Sequence, residues 1–403
     1  MEKLPLAGLK VLDLTQGVAG PHCGLLLAQS GAGVIKVEPP EGDWARSLGT
    51  VYPGRQNAMS VVYNRGKRSL ALDIRQPEGR DIVLRLARQA DIMLESNRPG
   101  VAKRLGIGFA EVAAVNPAIL YVSVSGFGQV GPYAERALTD TVAQAFTGLM
   151  SINQGADGIP HKVGMYVVDA VTGLYAFQAV QNALIGRLRH GPGEARHLDI
   201  PLAQSFSALL APKTLEFHLE GGQPRAPNVP AGSYRTKDGW IVVTLVRETE
   251  FPGIARAIGQ PDLATDPRFL DFQARAENAA ALYAILRAAI ALRTTEDWLA
   301  RLQAENALCE RILDFADWLS DAHVQATEGW VSVIQPGLGP VPHARIPGLP
   351  PARAGEARGR APLPGEHGRE ILAELGLDAA AVAGLAAAGI LKLPDALPAQ
   401  AAE

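Results

Sequence analysis

Asp169 is the residue best suited to chemistry, because it is the lone acid in Val167-Val168-Asp169-Ala170-Val171, within a stretch almost free of charge. Burial makes a carboxylate costly to ionise and raises its pKa. A plainer role is N-cap of a helix beginning near Thr172. The two roles are compatible, since helix-terminal amides stabilise an anion. A second set is cationic or amide-bearing: Arg46, Arg65, Lys67, Arg68, Arg75, Asn97, Arg98 and Arg104. Singly, each reads as a solvated surface group. Gathered on loops at the strand ends of a parallel sheet, they could hold a phosphorylated ligand.

Other chemistries lack their residues. A turn with Gly17 and Gly20 after the first apolar run invites a dinucleotide, but Thr15–Pro21 lacks the three-glycine spacing that admits a pyrophosphate. Glu38, at the end of the second run, then reads as a solvated strand-end acid. Two cysteines and eight scattered histidines contain no close ligand pair, so no zinc site is expected. There is neither a G-x-S-x-G elbow nor a P-loop.

The elements that must position these residues follow from periodicity. Leu9–Leu14 and Val34–Val37 read as strands flanking a helix that ends near Ser30, a βαβ unit. A helix over Arg80–Gln89 and strands over Asp91–Leu94 and Ile119–Val124 continue the pattern, so the fold class is α/β, doubly wound on a parallel sheet. Helices are expected over Gly173–Leu188 and Leu202–Leu219. Gly221–Gly232 reads as a linker or active-site loop. Gly239–Leu245 is expected to be a strand, and Ala274–Gln303 a helical pair split near Thr294–Thr295. The Pro/Gly/Arg-rich Gly337–Gly365 reads as a long connection.

Composition bounds the partners. A chain of 403 residues predicts two or three domains, and 47% hydrophobic with 20% charged residues is globular. A net charge of -3 offers no basic field for nucleic acid or an anionic membrane, so a small molecule is the expected partner. Cys23 and Cys309 form no disulfide framework, the Met-Glu-Lys-Leu-Pro start carries no secretory run, and no apolar stretch spans a bilayer. A cytoplasmic setting is expected.

Several ordered blocks resemble the class III CoA-transferase family, from about Leu6 to Leu391: GLKVLDLTQGVAGPHCG, GAGVIKVEPPEGDWAR, NRGKRSLALDIRQPEGR, ADIMLESNRPGVAKRLG, SVSGFGQVGPYAER, DTVAQAFTGLM, GMYVVDAVTGLYA and APLPGEHGREILAELGL. The resemblance implies a Rossmann-like large domain (residues 1–200), a linker helix (201–225), a small α+β domain (226–330) and a C-terminal segment (331–403) returning to the large domain. It also implies a homodimer of interlocked subunits. Coenzyme A would enter as substrate, with no tightly bound cofactor and no metal, along Gly17, Val18, Leu72, Asp73, Ile74, Arg75, Ser96, Asn97, Arg98, Arg104 and Asp140. Asp169 would be the nucleophile, passing through an acyl anhydride and an aspartyl-CoA thioester.

Two positions depart from the family pattern. Pro39 stands where many members carry an arginine, a loss that Arg46 could make good, and the Gly222–Gly232 loop lacks a continuous glycine run. The same fold hosts 2-methylacyl-CoA racemases, which carry a histidine where this chain has Thr139. In such a reading His161 or Glu248 would have to act as base. Arg235, Lys237 and Arg247 read as solvated strand-end charges, or else could meet a second carboxylate on the acid.

Overall fold

Val11 and Leu12 are consecutive and both apolar, as in a strand covered on both faces. They lie in β1 (Lys10–Asp13), at the centre of a sheet in the computed structural model, which describes residues 4–155, 157–224, 226–353 and 355–394. The chain continues through α1 (Ala19–Gln29), β2 (Gly33–Glu38), α2 (Ala58–Tyr63), β3 (Arg68–Leu72), α3 (Pro77–Ala87) and β4 (Ile92–Glu95). Next come α4 (Val101–Arg104), α5 (Phe109–Val115), β5 (Leu120–Ser125), α6 (Asp140–Phe146), α7 (Leu149–Ile152), α8 (Val167–His190), β6 (Arg196–Pro201) and α9 (Leu202–Leu209).

Residues 212–327 form a separate compact unit. Most of α10 (Ala211–Leu219) belongs to it, followed by β7 (Gly232–Arg235), β8 (Trp240–Thr244), α11 (Phe251–Ala257), α12 (Phe272–Glu277), α13 (Ala279–Ile290), α14 (Thr295–Ala304), β9 (Leu308–Arg311), α15 (Phe315–Ser320) and α16 (Ala322–Ala326). Its antiparallel sheet, ordered β7-β8-β9, buries Tyr234, Ile241 and Val243 with Phe251, Leu286 and Trp298. The described residues from Glu328 onward return to the first unit. They contribute β10 (Trp330–Gln335), β11 (Gly339–Ala344), α17 (Gly368–Glu374), α18 (Ala379–Ala387) and β12 (Leu391–Lys392).

The large sheet runs β12-β3-β2-β1-β4-β5-β6, with every pair parallel except β12 on β3. Side chains alternate between two cores: Leu12, Leu70, Met93 and Tyr121 with α3 and α17 on one face, and Val11, Val34, Val122 and Ile92 with α1 and α8 on the other. The strand order reverses between β1 and β4, and in such sheets the carboxyl ends of those strands open a crevice. The α/β class and dominant parallel sheet agree with the sequence reading.

Local differences have local causes. The helix expected over Leu202–Leu219 is two, because Pro212 lacks the N–H that would reach the Ala208 carbonyl. The pair expected over Ala274–Gln303 is three helices, the last capped by Thr294, whose side chain accepts from Asp297 N. Within Gly337–Gly365, β11 pairs β10, with Pro340 and Pro342 in the strand. A two-stranded ribbon has only edges, so it tolerates those prolines. Among the described residues no helix is long and apolar enough to cross a membrane.

Candidate active site

The loop after β1 rests on charges buried beneath it. Thr15 donates through its N–H (3.0 Å) and Oγ1 (2.5 Å) to Asp13 Oδ1, while Lys67 Nζ donates to Asp13 Oδ2 at 2.8 Å. Lys36 Nζ reaches the Thr15 carbonyl and, at 3.1 Å, Asp43 Oδ2. Asp43 in turn accepts from Gly17 N at 3.1 and 3.2 Å. Arg46 grips Glu38 through Nε (2.7 Å) and Nη2 (3.0 Å). Three acids and three bases are thus paired away from water, a costly arrangement that holds a defined geometry only when each charge keeps its partner. Gly17 has φ of +84°, and a Cβ there would lie 2.6 Å from the Trp44 ring, so glycine is required.

This pairing removes several residues from the ligand candidates. Glu38 is 1% exposed rather than solvated. Burial alone would raise its pKa, but the Arg46 guanidinium holds it down to about 2. Arg46 is itself buried against Glu38, so it does not replace the arginine missing at Pro39. Lys67 belongs to Asp13. Arg68 forks onto Glu374 at 3.0 and 2.9 Å. Arg65 is buried, with Nη2 on the Ala344 carbonyl.

A cleft of about 480 Å³ opens at the ends of β1, β4 and β5, where the strand order reverses. Gln16, Val18 and Trp44 line one wall; Ser96, Asn97 and Arg98 follow β4; Arg136, Thr139 and Asp140 precede or begin α6; Asp169 completes it. Ser96 Oγ accepts from Gln16 N at 2.9 Å, tying the first two loops together. Asn97 donates to buried Glu95 through its N–H (2.8 Å) and Nδ2 (3.1 Å). The Arg98 side chain is exposed and makes no hydrogen bond or ion pair among the described residues.

Asp169 is the third residue of α8, not the cap of a helix starting near Thr172. The helix starts earlier because its free N–H groups find an acceptor elsewhere. Asp140 Oδ2 accepts from Val168 N (2.8 Å) and Asp169 N (3.1 Å), performing the work of a cap from a different helix. Asp140 Oδ1 accepts from Gln144 Nε2 at 2.6 Å, and Gln144 Oε1 accepts from Val163 N at 2.8 Å. With both oxygens engaged and only 4% exposure, Asp140 positions the α8 terminus rather than offering itself to a ligand. Behind it His22 Nδ1 donates to the Ala170 carbonyl at 3.0 Å, and Gly173 lets α1 approach, since a Cβ there would meet His22 at 2.7 Å. Burial, then the Asp140 charge, push the Asp169 carboxyl up to about 7. Near neutral pH it is therefore divided between acid and anion, and its anion is more basic than an ordinary carboxylate.

The other expected residues are dispersed. Leu72 is sealed in the core, and Ile74 packs against the same cluster. Arg75 Nε and Nη2 bond Asp73 at 2.7 and 3.0 Å, outside the cleft lining. Arg104 is exposed at the end of α4, also outside it. Gly17 is buried. His161 is exposed, 3.9 Å from Asp157. In the smaller unit Glu248 is bound by Arg275 at 2.5 Å, and the Arg235 guanidinium lies 5.5 Å from the centroid of the Trp240 ring, near Lys237 and Arg247 in sequence. Residue 225, inside the Gly222–Gly232 loop, lies outside the described residues. Arg136 was not singled out from sequence; its signal was the aromatic spacing Phe127, Tyr133, Phe146 around it. No group of described residues could hold a metal ion.

Comparison with known proteins shows the family. The model of CoA-transferase family III matches residues 6–368. The succinyl-CoA–D-citramalate CoA-transferase of Chloroflexus aurantiacus is 37% identical over 92% of this chain and 94% of its own. The succinate–glutarate CoA-transferase of Agrobacterium fabrum is 33% identical, covering 93% and 96%. The crystal structure of a CAIB/BAIF family protein from Brucella suis superposes with a TM-score of 0.81 at 34% identity, over 93% of this chain and all of that one.

Proposed function

The chain belongs to CoA-transferase family III and is an enzyme of that class, and we propose that it moves coenzyme A from an acyl-CoA to a free carboxylic acid through covalent Asp169. The observation that carries this reading is a carboxyl poised near neutrality in the cleft, on a helix terminus held by a second acid. An Asp169 oxygen attacks the thioester carbonyl; the C–O bond forms as C–S breaks, and the thiolate leaves with the electron pair. The thiolate then attacks the Asp169 carbonyl and expels the donor acid, leaving aspartyl-CoA. The acceptor carboxylate reverses both steps. Each exchange trades one activated acyl group for another, so no electron transfer is involved.

The carrier is long and the strand ends supply a track for it. Val18 beside Gly17 and the Ser96–Arg98 loop would hold the part nearest the switch point, with Arg98 free to meet phosphate. Leu72–Arg75 lie two strand spacings from β1, roughly 10 Å away. An extended adenine nucleotide with its pantetheine arm covers that span, and Arg75 and Arg104 would meet its phosphates at the outer end. Asp140 serves the ligand through Asp169.

Exposed apolar side chains on α8, with Leu174 52%, Ile185 51% and Leu188 86% accessible, fit a surface buried by a second subunit, as an interlocked homodimer requires. Cys23 and Cys309, both free thiols, fit a cytoplasmic setting. Racemisation would need a base at the α-carbon, and Thr139 offers a hydroxyl there, which is no base near neutral pH. Incubation with succinyl-CoA followed by intact-mass measurement tests the reading: a covalent adduct is expected on the wild type and none on Asp169→Asn. A wild type that transfers coenzyme A yet never carries an adduct would refute the covalent route.

A further inference from the structure

The β5–α6 connection and the end of α6 carry a small aromatic cluster that backs one cation of the cleft lining. Phe127 meets Phe146 edge-on at 5.0 Å and Tyr133 at 5.4 Å between ring centroids. The Arg136 guanidinium lies 5.4 Å from the Tyr133 centroid and 5.8 Å from that of Phe127. The rings hold the guanidinium by cation–π attraction. Its N–H groups are uncommitted, since the Arg136 side chain makes no hydrogen bond or ion pair among the described residues. Arg136 lines the same cleft as Asp169. An arginine immobilised on rings, always charged and presenting a planar fork, matches a carboxylate in two-point contact.

Arg98 stands on the loop after β4, whereas Arg136 lies four residues before Asp140, the residue that holds the Asp169 turn. Those four residues span at most about 14 Å, which bounds how far the Arg136 backbone lies from that of Asp140.

We propose that Arg136 determines acid specificity by binding the carboxylate remote from the reacting one, so that the exchanged acids are aliphatic dicarboxylates. This rests on the transferase reading above. The test compares two five-carbon acceptors, glutarate and valerate, with succinyl-CoA as donor. In a two-stage covalent mechanism kcat/KM for the acceptor reports only the second half-reaction, so the donor cancels from the ratio. The wild type is expected to prefer glutarate, and Arg136→Met should lower the glutarate-to-valerate ratio about 10- to 150-fold, the worth of a charge-assisted contact. Arg136→Lys, which keeps the charge without the fork, should recover part of it.

A wild type indifferent between the two acids, or a ratio unmoved in Arg136→Met, overturns the proposal. So does an Arg136→Met variant whose calorimetric affinity for coenzyme A falls with the ratio intact, because that assigns the arginine to the carrier. If the wild type transfers to no acid and forms no adduct, the transferase reading fails, and this one falls with it.

Discussion

Asp169→Asn should stabilise the protein, and increasingly so as pH rises. The wild-type carboxyl titrates at about 7 in the folded chain against 3.8 for an ordinary aspartate, because burial and then the Asp140 charge oppose its ionisation. Between those values the folded chain retains a proton that the unfolded chain has released. Wild-type stability therefore falls as pH climbs through the window and is level above it. A shift of about three units corresponds to a ceiling of about 4 kcal/mol at ~1.36 kcal/mol per unit. Asp169 is only partly buried, and solvent in the cleft reduces this to about 2 kcal/mol. Asparagine has the same shape, carries no charge at any pH, and keeps the backbone N–H donated to Asp140. Its advantage over the wild type should widen by about 1–2 kcal/mol between pH 5 and pH 8.5, or a few degrees in Tm. Paired thermal and denaturant melts at the two pH values measure it, with intact mass confirming loss of the adduct. An advantage that stays flat or shrinks with pH would refute the account of a carboxyl held near neutrality by burial and a like charge.

Four further outcomes follow from the same geometry. Asp140→Asn removes the like charge, so the acid limb of self-acylation, inflecting near pH 7 in the wild type, should move to lower pH; initial rates across pH 5–9 read it, and an unmoved inflection contradicts the electrostatic role. Arg98→Ala should weaken coenzyme A binding about 10- to 150-fold by calorimetry, the worth of a phosphate contact, and unchanged affinity would remove Arg98 from the site. Lys67→Met leaves Asp13 buried and unpaired, which should cost about 3–5 kcal/mol in denaturation; near-neutral stability would mean the pair is dispensable. In heavy water no deuterium should enter the α-carbon of a 2-methylacyl-CoA, and fast uptake without exchange of the acid would favour racemisation instead.

What the residues disclosed unaided was local or repetitive. Consecutive apolar positions such as Val11-Leu12 mark strands covered on both faces, and the alternation of such runs with helical periods is enough for an α/β parallel sheet. Asp169 was visible because its neighbours in the chain are apolar. The ribbon of β10 and β11 was hidden because its prolines suppress the local strand signal.

Charge pairing belonged to tertiary structure alone. Arg46, Lys67, Arg68, Arg98 and Arg136 are equally cationic in the chain, yet three are neutralised and two line the cleft with no ion-pair partner among the described residues. The distinction depends on partners distant in sequence: Lys67 meets Asp13 across 54 residues, and Arg68 meets Glu374 across 306. Asp140 likewise caps Val168 from 28 residues away. An acceptor for helix N–H groups is needed wherever a helix begins, but periodicity does not say which side chain supplies it, because that is settled only when separate segments pack.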